Sequence, residues 1–141
     1  MIVIEKLNTT VDIPHLLELY KDLVPFELSL EESIQLYKEI STNENYFLAV
    51  AKENDELIGS ALGICCKSLT VPFLVIEDVI VKQGNRGKGI GRMLMESLDA
   101  FALEKNCAYA IVVSSGHLKA AHEFYQQVGF TEHVEGFRKV Y

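Results

Sequence analysis

From Val79 to Arg92 the chain reads Val79-Ile80-Val81-Lys82-Gln83-Gly84-Asn85-Arg86-Gly87-Lys88-Gly89-Ile90-Gly91-Arg92. An apolar stretch passes into glycines, and a helix-forming segment follows directly. Such a turn points backbone N–H groups and the positive end of the helix at one spot, which suits a phosphate or pyrophosphate. Glycine lets the backbone approach the anion closely, and Arg86, Lys88 and Arg92 add positive charge. Two known phosphate loops do not fit. A Walker loop needs Ser or Thr after its lysine, but Gly89 follows Lys88, and Lys82 stands where the first glycine belongs. A dinucleotide fingerprint starting at Gly87 meets Arg92 where its third glycine should be. A tight turn without a ligand is the plainer alternative. Glycines at alternate positions 87, 89 and 91, flanked by basic residues, favour the anion site.

Two carboxylates, Glu77 and Asp78, interrupt the run Phe73, Leu74, Val75, Ile76, Val79, Ile80, Val81 just upstream. A carboxylate is costly to bury without a partner, so this pair calls for an ion pair, a hydrogen bond or a chemical role. Strand alternation would send the two to opposite faces. Tyr125 shares a helix face with Leu118, Ala121 and Val128, as a core aromatic would. His117 and His122 titrate near neutrality, but helix-cap or surface roles are the commoner outcome for such residues.

The elements that must position these groups follow from periodicity. Residues 2–7 form a first strand. Ile13, Leu16, Leu17, Tyr20 and Leu23 recur at helical spacing, with Thr10 or Asp12 as N-cap and Pro14 in the first turn. Ser29 and Glu32 predict a capping box for a second helix striped by Leu30, Ile34 and Tyr37. Tyr46–Ala51 and Leu57–Cys66 flank the turn residues Asn54-Asp55-Glu56 and predict a hairpin. Phe73–Lys82 is a third strong run. Ile90, Leu94, Leu98 and Phe101 mark a helix, Ala108–Val113 a strand, and Leu118 to Val128 a helix closed by Gly129. Phe130–His133 and Phe137–Tyr141 predict two short final strands. The order β-α-α-β-β-β-α-β-α-β-β implies one mixed sheet with helices on both faces.

The 141 residues, 49% hydrophobic and 23% charged, fit one globular domain over residues 1–141. A net charge of −7 argues against a nucleic-acid binder, which needs a basic face. No apolar run approaches the roughly 20 residues of a membrane span. Met1–Lys6 reads as a strand rather than a signal peptide, so a cytoplasmic protein is expected. Cys65, Cys66 and Cys107 form no CxxC pair and no Cys/His cluster, so buried free thiols and no metal site are expected.

Arg86-Gly87-Lys88-Gly89-Ile90-Gly91 resembles the (Gln/Arg)-x-x-Gly-x-(Gly/Ala) signature of the GNAT acetyltransferase superfamily. Ala121-His122-Glu123-Phe124-Tyr125-Gln126-Gln127-Val128-Gly129-Phe130 resembles its second signature, a helix ending in "FY…GF". The resemblance covers most of the chain and is strongest over residues 74–131. It implies a GNAT fold, an α/β (α+β) arrangement whose mixed, mostly antiparallel sheet has six to seven strands and about four helices on both faces. It also implies acetyl-CoA as cosubstrate. Backbone amides from Gly87 to Arg92 would hold the pyrophosphate, with Arg86, Lys88 and Ile90 in the same loop. The backbone of Val79, Ile80 and Val81 would pair with the pantetheine arm, which requires a β-bulge near Val79.

Acetyl transfer to an amine needs removal of the ammonium proton, donors for the oxyanion and a proton for the departing thiolate. The resemblance gives Glu77 the role of base, through an ordered water, with Asp78 as the alternative. It gives Tyr125 the role of acid and the N–H of Ile80 that of an oxyanion donor. Many relatives carry Asn or Arg where this chain has Leu118; Ser115 or His117 could substitute. The expected activity is acetyl transfer to a primary amine of a small molecule by direct attack. Likeness to aminoalkylphosphonate, aminoglycoside and glucosamine-6-phosphate acetyltransferases leaves the acceptor open. A protein or peptide N-acetyltransferase and a non-catalytic coenzyme A sensor are the alternatives. Family members often dimerise, and a homodimer is compatible with this chain.

Overall fold

A computed structural model describes residues 1–23, 27–114, 116 and 118–141. Its sheet has the order β1-β2-β3-β4-β5, built from Ile2–Lys6, Tyr46–Glu53, Glu56–Cys66, Phe73–Val81 and Ala110–Val112. The first four strands are antiparallel to their neighbours, and β5 runs parallel to β4. The β2–β3 hairpin turns at Asn54 and Asp55, both at positive φ (52° and 64°), a conformation that Asn and Asp tolerate.

Helices α1 (Ile13–Tyr20) and α2 (Leu30–Ser41) cover one face. Ile13, Leu16 and Leu19 of α1 and Tyr37 of α2 meet Leu48, Val50, Leu57 and Ile80 there. Tyr37 also donates its hydroxyl to the carbonyl of Leu7 at 2.9 Å. The predicted capping box is present: Ser29 Oγ accepts from Glu32 N–H, and the Glu32 carboxylate accepts from Ser29 N–H. Asp12 takes the N-cap position of the first helix, one of the two expected, but its side chain makes no cap hydrogen bond there. Thr9 caps a 3-10 turn at Thr10–Asp12, and Asp12 accepts from Lys52 Nζ at 2.7 Å rather than from its own helix.

Helix α3 (Ile90–Glu104) covers the other face, burying Ile90, Leu94, Met95, Leu98 and Phe101 against Ala49, Ala51, Ala61, Leu74 and Ile76. Each large apolar side chain buried there contributes about 1.5–3 kcal/mol. The close fit depends on glycine. A Cβ on Gly63 would lie 2.9 Å from Leu98 Cδ2, and one on Gly59 would lie 3.2 Å from Ile90 Cγ2.

Helix α4 (Lys119–Gln127) ends as expected, with Gly129 at φ 111°. The strand count does not follow expectation: the described residues give five strands, not six to seven. Phe130–His133 and Phe137–Tyr141 form no ladder. Their side chains beyond Phe130 stand in solvent, and β propensity alone cannot hold a strand that no neighbour pairs with.

Candidate active site

The site is created by an irregularity in β4. Leu62 of β3 pairs with Glu77 and Ser60 pairs with Ile80, so Ala61 alone faces both Asp78 and Val79. This is a β-bulge where the pantetheine reading required one. Asp78 absorbs it with φ 52°, the left-handed region that few non-glycine residues enter. The extra residue reverses the strand's alternation. Leu74 and Ile76 pack with α3, whereas Ile80 packs with α1 and α2.

Just above the bulge the sheet opens. β5 pairs with β4 only from Leu74 to Ile76, leaving residues 77–81 without a strand on that side among the described residues. A cleft of about 670 Å³ fills the gap. It is lined by Val79, Ile80 and Val81 of β4, by the glycine loop, and by Ala120, Ala121, Phe124, Tyr125 and Gln127 of α4. That volume lies within the usual range for small-molecule sites, about 300–1,000 Å³.

The loop is shaped for an anion. Gly84, Gly87 and Gly89 have φ of 93°, 82° and 80°, and a Cβ added at any of them would meet nothing within 4 Å. Gly89 is the N-cap of α3 and carries no capping side chain, so the leading amides of a 15-residue helix face the cleft without a side-chain acceptor. Arg86 Nε donates to the Val81 carbonyl at 3.1 Å and folds the loop back on the strand end. Arg92 Nη2 donates to the Gln127 carbonyl at 3.4 Å, joining α3 to the end of α4. Gly91 acts differently from the other three. A Cβ there would lie 3.0 Å from Phe124 Cζ, so the bare backbone lets α4 approach α3. These features fit a pyrophosphate with an extended arm running down to β4.

Of the residues expected to bind the cofactor, Val79, Ile80, Val81, Arg86, Gly87, Gly89, Ile90, Gly91 and Arg92 line the cleft. Lys88 is exposed beside it. Tyr125 also lines it, held between Phe124 at 5.4 Å and Phe130 at 5.9 Å between ring centroids. Burial, and then the negative charge of Glu77, raise its pKa and keep the phenol protonated at neutral pH.

Glu77 is exposed at the bulge and is not part of the cleft wall. Partial burial, and then the neighbouring Asp78 carboxylate, raise its pKa. Burial likewise raises that of Asp78. Asp78 in turn helps to raise the pKa of Tyr20, for which burial is the main cause and which a hydrogen bond with Ser60 opposes. The negative charges of Glu77 and Asp78 thus act on Tyr125 of α4 and on Tyr20 of α1, respectively. His122, on α4, does not line the cleft, and Ser115 and His117 lie outside the described residues. Among the described residues no group of His, Cys, Asp and Glu could hold a metal.

Sequence reasoning missed Asn85, Ala120, Ala121, Phe124 and Gln127 in the cleft, and the influence of the Asp78 charge on Tyr20. Tyr20 is legible in the sequence only as part of an apolar stripe. The Ala120-Ala121 pair is a usable signal, because small side chains on a helix leave room for a neighbour.

The chain matches the model of the Acetyltransferase (GNAT) family over residues 13–130. It is 41% identical to the streptothricin acetyltransferase of Streptomyces lavendulae over 58 residues, which cover 40% of this chain and only 30% of that protein. The structure of a protein from Agrobacterium tumefaciens str. C58 superposes with a TM-score of 0.89 at 27% identity, covering 99% of each chain. Aminoglycoside N-acetyltransferase AAC(6')-Iy in complex with CoA shares the fold, with a TM-score of 0.82 at 22% identity over 99% of this chain and 95% of that one. The bulged strand, the opened sheet and the uncapped glycine turn thus occur in a chain that matches one family across five-sixths of its length. This protein belongs to the GNAT acetyltransferase family.

Proposed function

We propose that the protein transfers an acetyl group from acetyl-CoA to a primary amine of a small, cationic molecule by direct attack. One observation carries this reading: a single cleft joins the uncapped amides of α3, the free edge of β4 and the hydroxyl-bearing ring of Tyr125. The amine nitrogen attacks the thioester carbonyl, the carbon–sulfur bond breaks, and the acetyl group ends on nitrogen. Glu77 takes the ammonium proton through an ordered water, and its raised pKa makes it a better base than an ordinary carboxylate. The Ile80 N–H supports the oxyanion, and Tyr125 gives a hydrogen bond or proton to the departing sulfur.

The acidic pair Glu77 and Asp78 favours a cationic acceptor, as does the likeness to acetyltransferases of streptothricin and aminoglycosides. Cys65, Cys66 and Cys107 are free thiols, in keeping with a cytoplasmic setting. The test is thiol release with acetyl-CoA and a panel of aminoglycosides, streptothricin-like amines, amino-sugar phosphates and peptides. Melting shifts run in parallel. A ligand specific for the folded state adds about 2.7 kcal/mol at 100 times its Kd. Acetyl-CoA should raise Tm, and ATP and NAD should not. Equal shifts with all three, or turnover confined to peptides, would overturn this proposal.

A further inference from the structure

The three cysteines lie outside the cleft and take no part in the proposed transfer. Two of them meet. Cys107 Sγ donates to Cys65 Sγ at 3.7 Å, across 42 positions of the chain. Cys65 stands on β3 opposite Leu74 and is buried in the core beneath α3. Cys107 packs against the same core from the turn between α3 and β5. Backbone hydrogen bonds hold both in place. Cys107 N–H donates to the Ala102 carbonyl at 2.9 Å, and the next residue, Ala108, donates to the Pro72 carbonyl at 2.8 Å. Cys65 N–H donates to the Asn45 carbonyl at 2.7 Å. Cys66 follows Cys65 along the same strand, so its side chain points to the opposite face. The contact therefore singles out one pair among three thiols.

We propose that Cys65 and Cys107 form a reversible disulfide site, closed by low-molecular-weight disulfides, that clasps together the strand, loop and helix facing the cleft. Closure takes two exchanges. Cys107 is partly exposed, whereas Cys65 is only 4% exposed, so Cys107 reacts first. Its thiol loses a proton and attacks one sulfur of the small disulfide, and the other half leaves as a thiolate. Cys65 then loses its proton and attacks the Cys107 sulfur, expelling the second half. The two protein thiols give up two protons and two electrons, and the small disulfide takes up both and becomes two thiols. Bonded sulfurs lie about 2.05 Å apart, so the pair must close by about 1.7 Å, a shift that side-chain rotation can supply. The segment between the two cysteines carries all of β4, the glycine loop and all of α3. A bond at its ends removes freedom from the unfolded chain and leaves the cleft open. Burial, and then the hydrogen bond with Cys65, push the Cys107 thiol up to about 11. Few thiolates are then present at neutral pH, and closure is slow. The site answers a sustained change in thiol–disulfide balance and ignores a brief one.

The folded protein would be held for hours in oxidised and reduced glutathione at varied ratio, then alkylated and weighed by mass spectrometry. At oxidising ratios it should lose two hydrogens and take up one alkyl group instead of three. Peptide mapping should place the link between Cys65 and Cys107, with Cys66 alkylated. The linked form should melt roughly 5–15 °C higher than the reduced one, and excess reduced glutathione should reverse both changes. Cys66→Ser should close the same link, and Cys107→Ala should melt at one temperature whatever the ratio. Three alkylated thiols at every ratio overturn the proposal. So does a link through Cys66, and so does a mixed disulfide on Cys107 that Cys65 never displaces. A linked form that melts no higher than the reduced one overturns the clasp. Mapping of the wild-type chain decides even if a variant fails to fold, and no readout depends on acetyl-CoA or on the acceptor.

Discussion

Replacing Tyr125 with Phe isolates a single hydroxyl. The ring contacts to Phe124 and Phe130 are retained, and Phe occupies the same space against the cleft, so stability and cofactor affinity should change little. The chemistry should not survive as well. A phenol of pKa about 10 is a weaker acid than a thiol of about 8.5, so full proton transfer to the sulfur is uphill by about 2 kcal/mol. Burial and the Glu77 charge push the phenol higher still. The hydroxyl therefore helps mainly by hydrogen-bonding the thiolate as charge develops. The expected loss lies toward the lower end of the general-acid range, about 10²-fold in turnover, which is about 2.7 kcal/mol of barrier. Initial rates of thiol release would be measured across pH with a confirmed acceptor, beside the acetyl-CoA melting shift. Glu77→Gln is the control: its rate should recover at high pH, where more amine is already neutral, and Tyr125→Phe should not recover in that way. Near-normal turnover in Tyr125→Phe, with the melting shift intact, would refute the acid assignment and leave Tyr125 a packing residue.

Asp78→Asn keeps a side chain that tolerates φ 52° and removes a charge that burial disfavours. The raised carboxyl pKa means that wild type loses stability as pH rises from the ordinary carboxylate value through the raised one. The variant should therefore melt higher than wild type at pH 8 and equally at acid pH. A shift independent of pH would contradict the electrostatic account. Gly63→Ala should cost about 1–3 kcal/mol in chemical denaturation, because its methyl would lie 2.9 Å from the fully buried Leu98. An unchanged midpoint would show that α3 can shift away without cost.

Much of this architecture can be read from the residues, for identifiable reasons. The Ser29–Glu32 capping box, the hairpin over Asn54-Asp55 and the glycine that ends α4 are local devices whose chemistry lies within a few residues. The glycine loop is legible because a strand, three alternate glycines and a helix follow one another without interruption. Phe137–Tyr141 has the composition of a strand but joins no sheet, because strand propensity carries no information on which edge is available. The Asp12–Lys52 pair spans 40 positions, and the Asp78 charge acts on Tyr20 across 58, so spacing along the chain could suggest neither. Gly91 has the spacing of an anion-binding glycine; its contact with Phe124 depends on two helices crossing, which periodicity in either one does not encode.

A strand ordinarily keeps one phase of alternation from end to end, but β4 keeps two, joined at Asp78. The opening beside it therefore depends on the number of residues as well as on their chemistry. A chain lacking that single position would retain every apolar side chain of the strand in the same order. It would leave Ile80 toward α1 and α2, and Val79 and Val81 toward α3, but would set Val79 opposite Ala61 in a regular ladder and erase the bulge. For this stretch, a one-residue deletion removes the irregularity while sparing every packing face, an edit that no substitution reproduces.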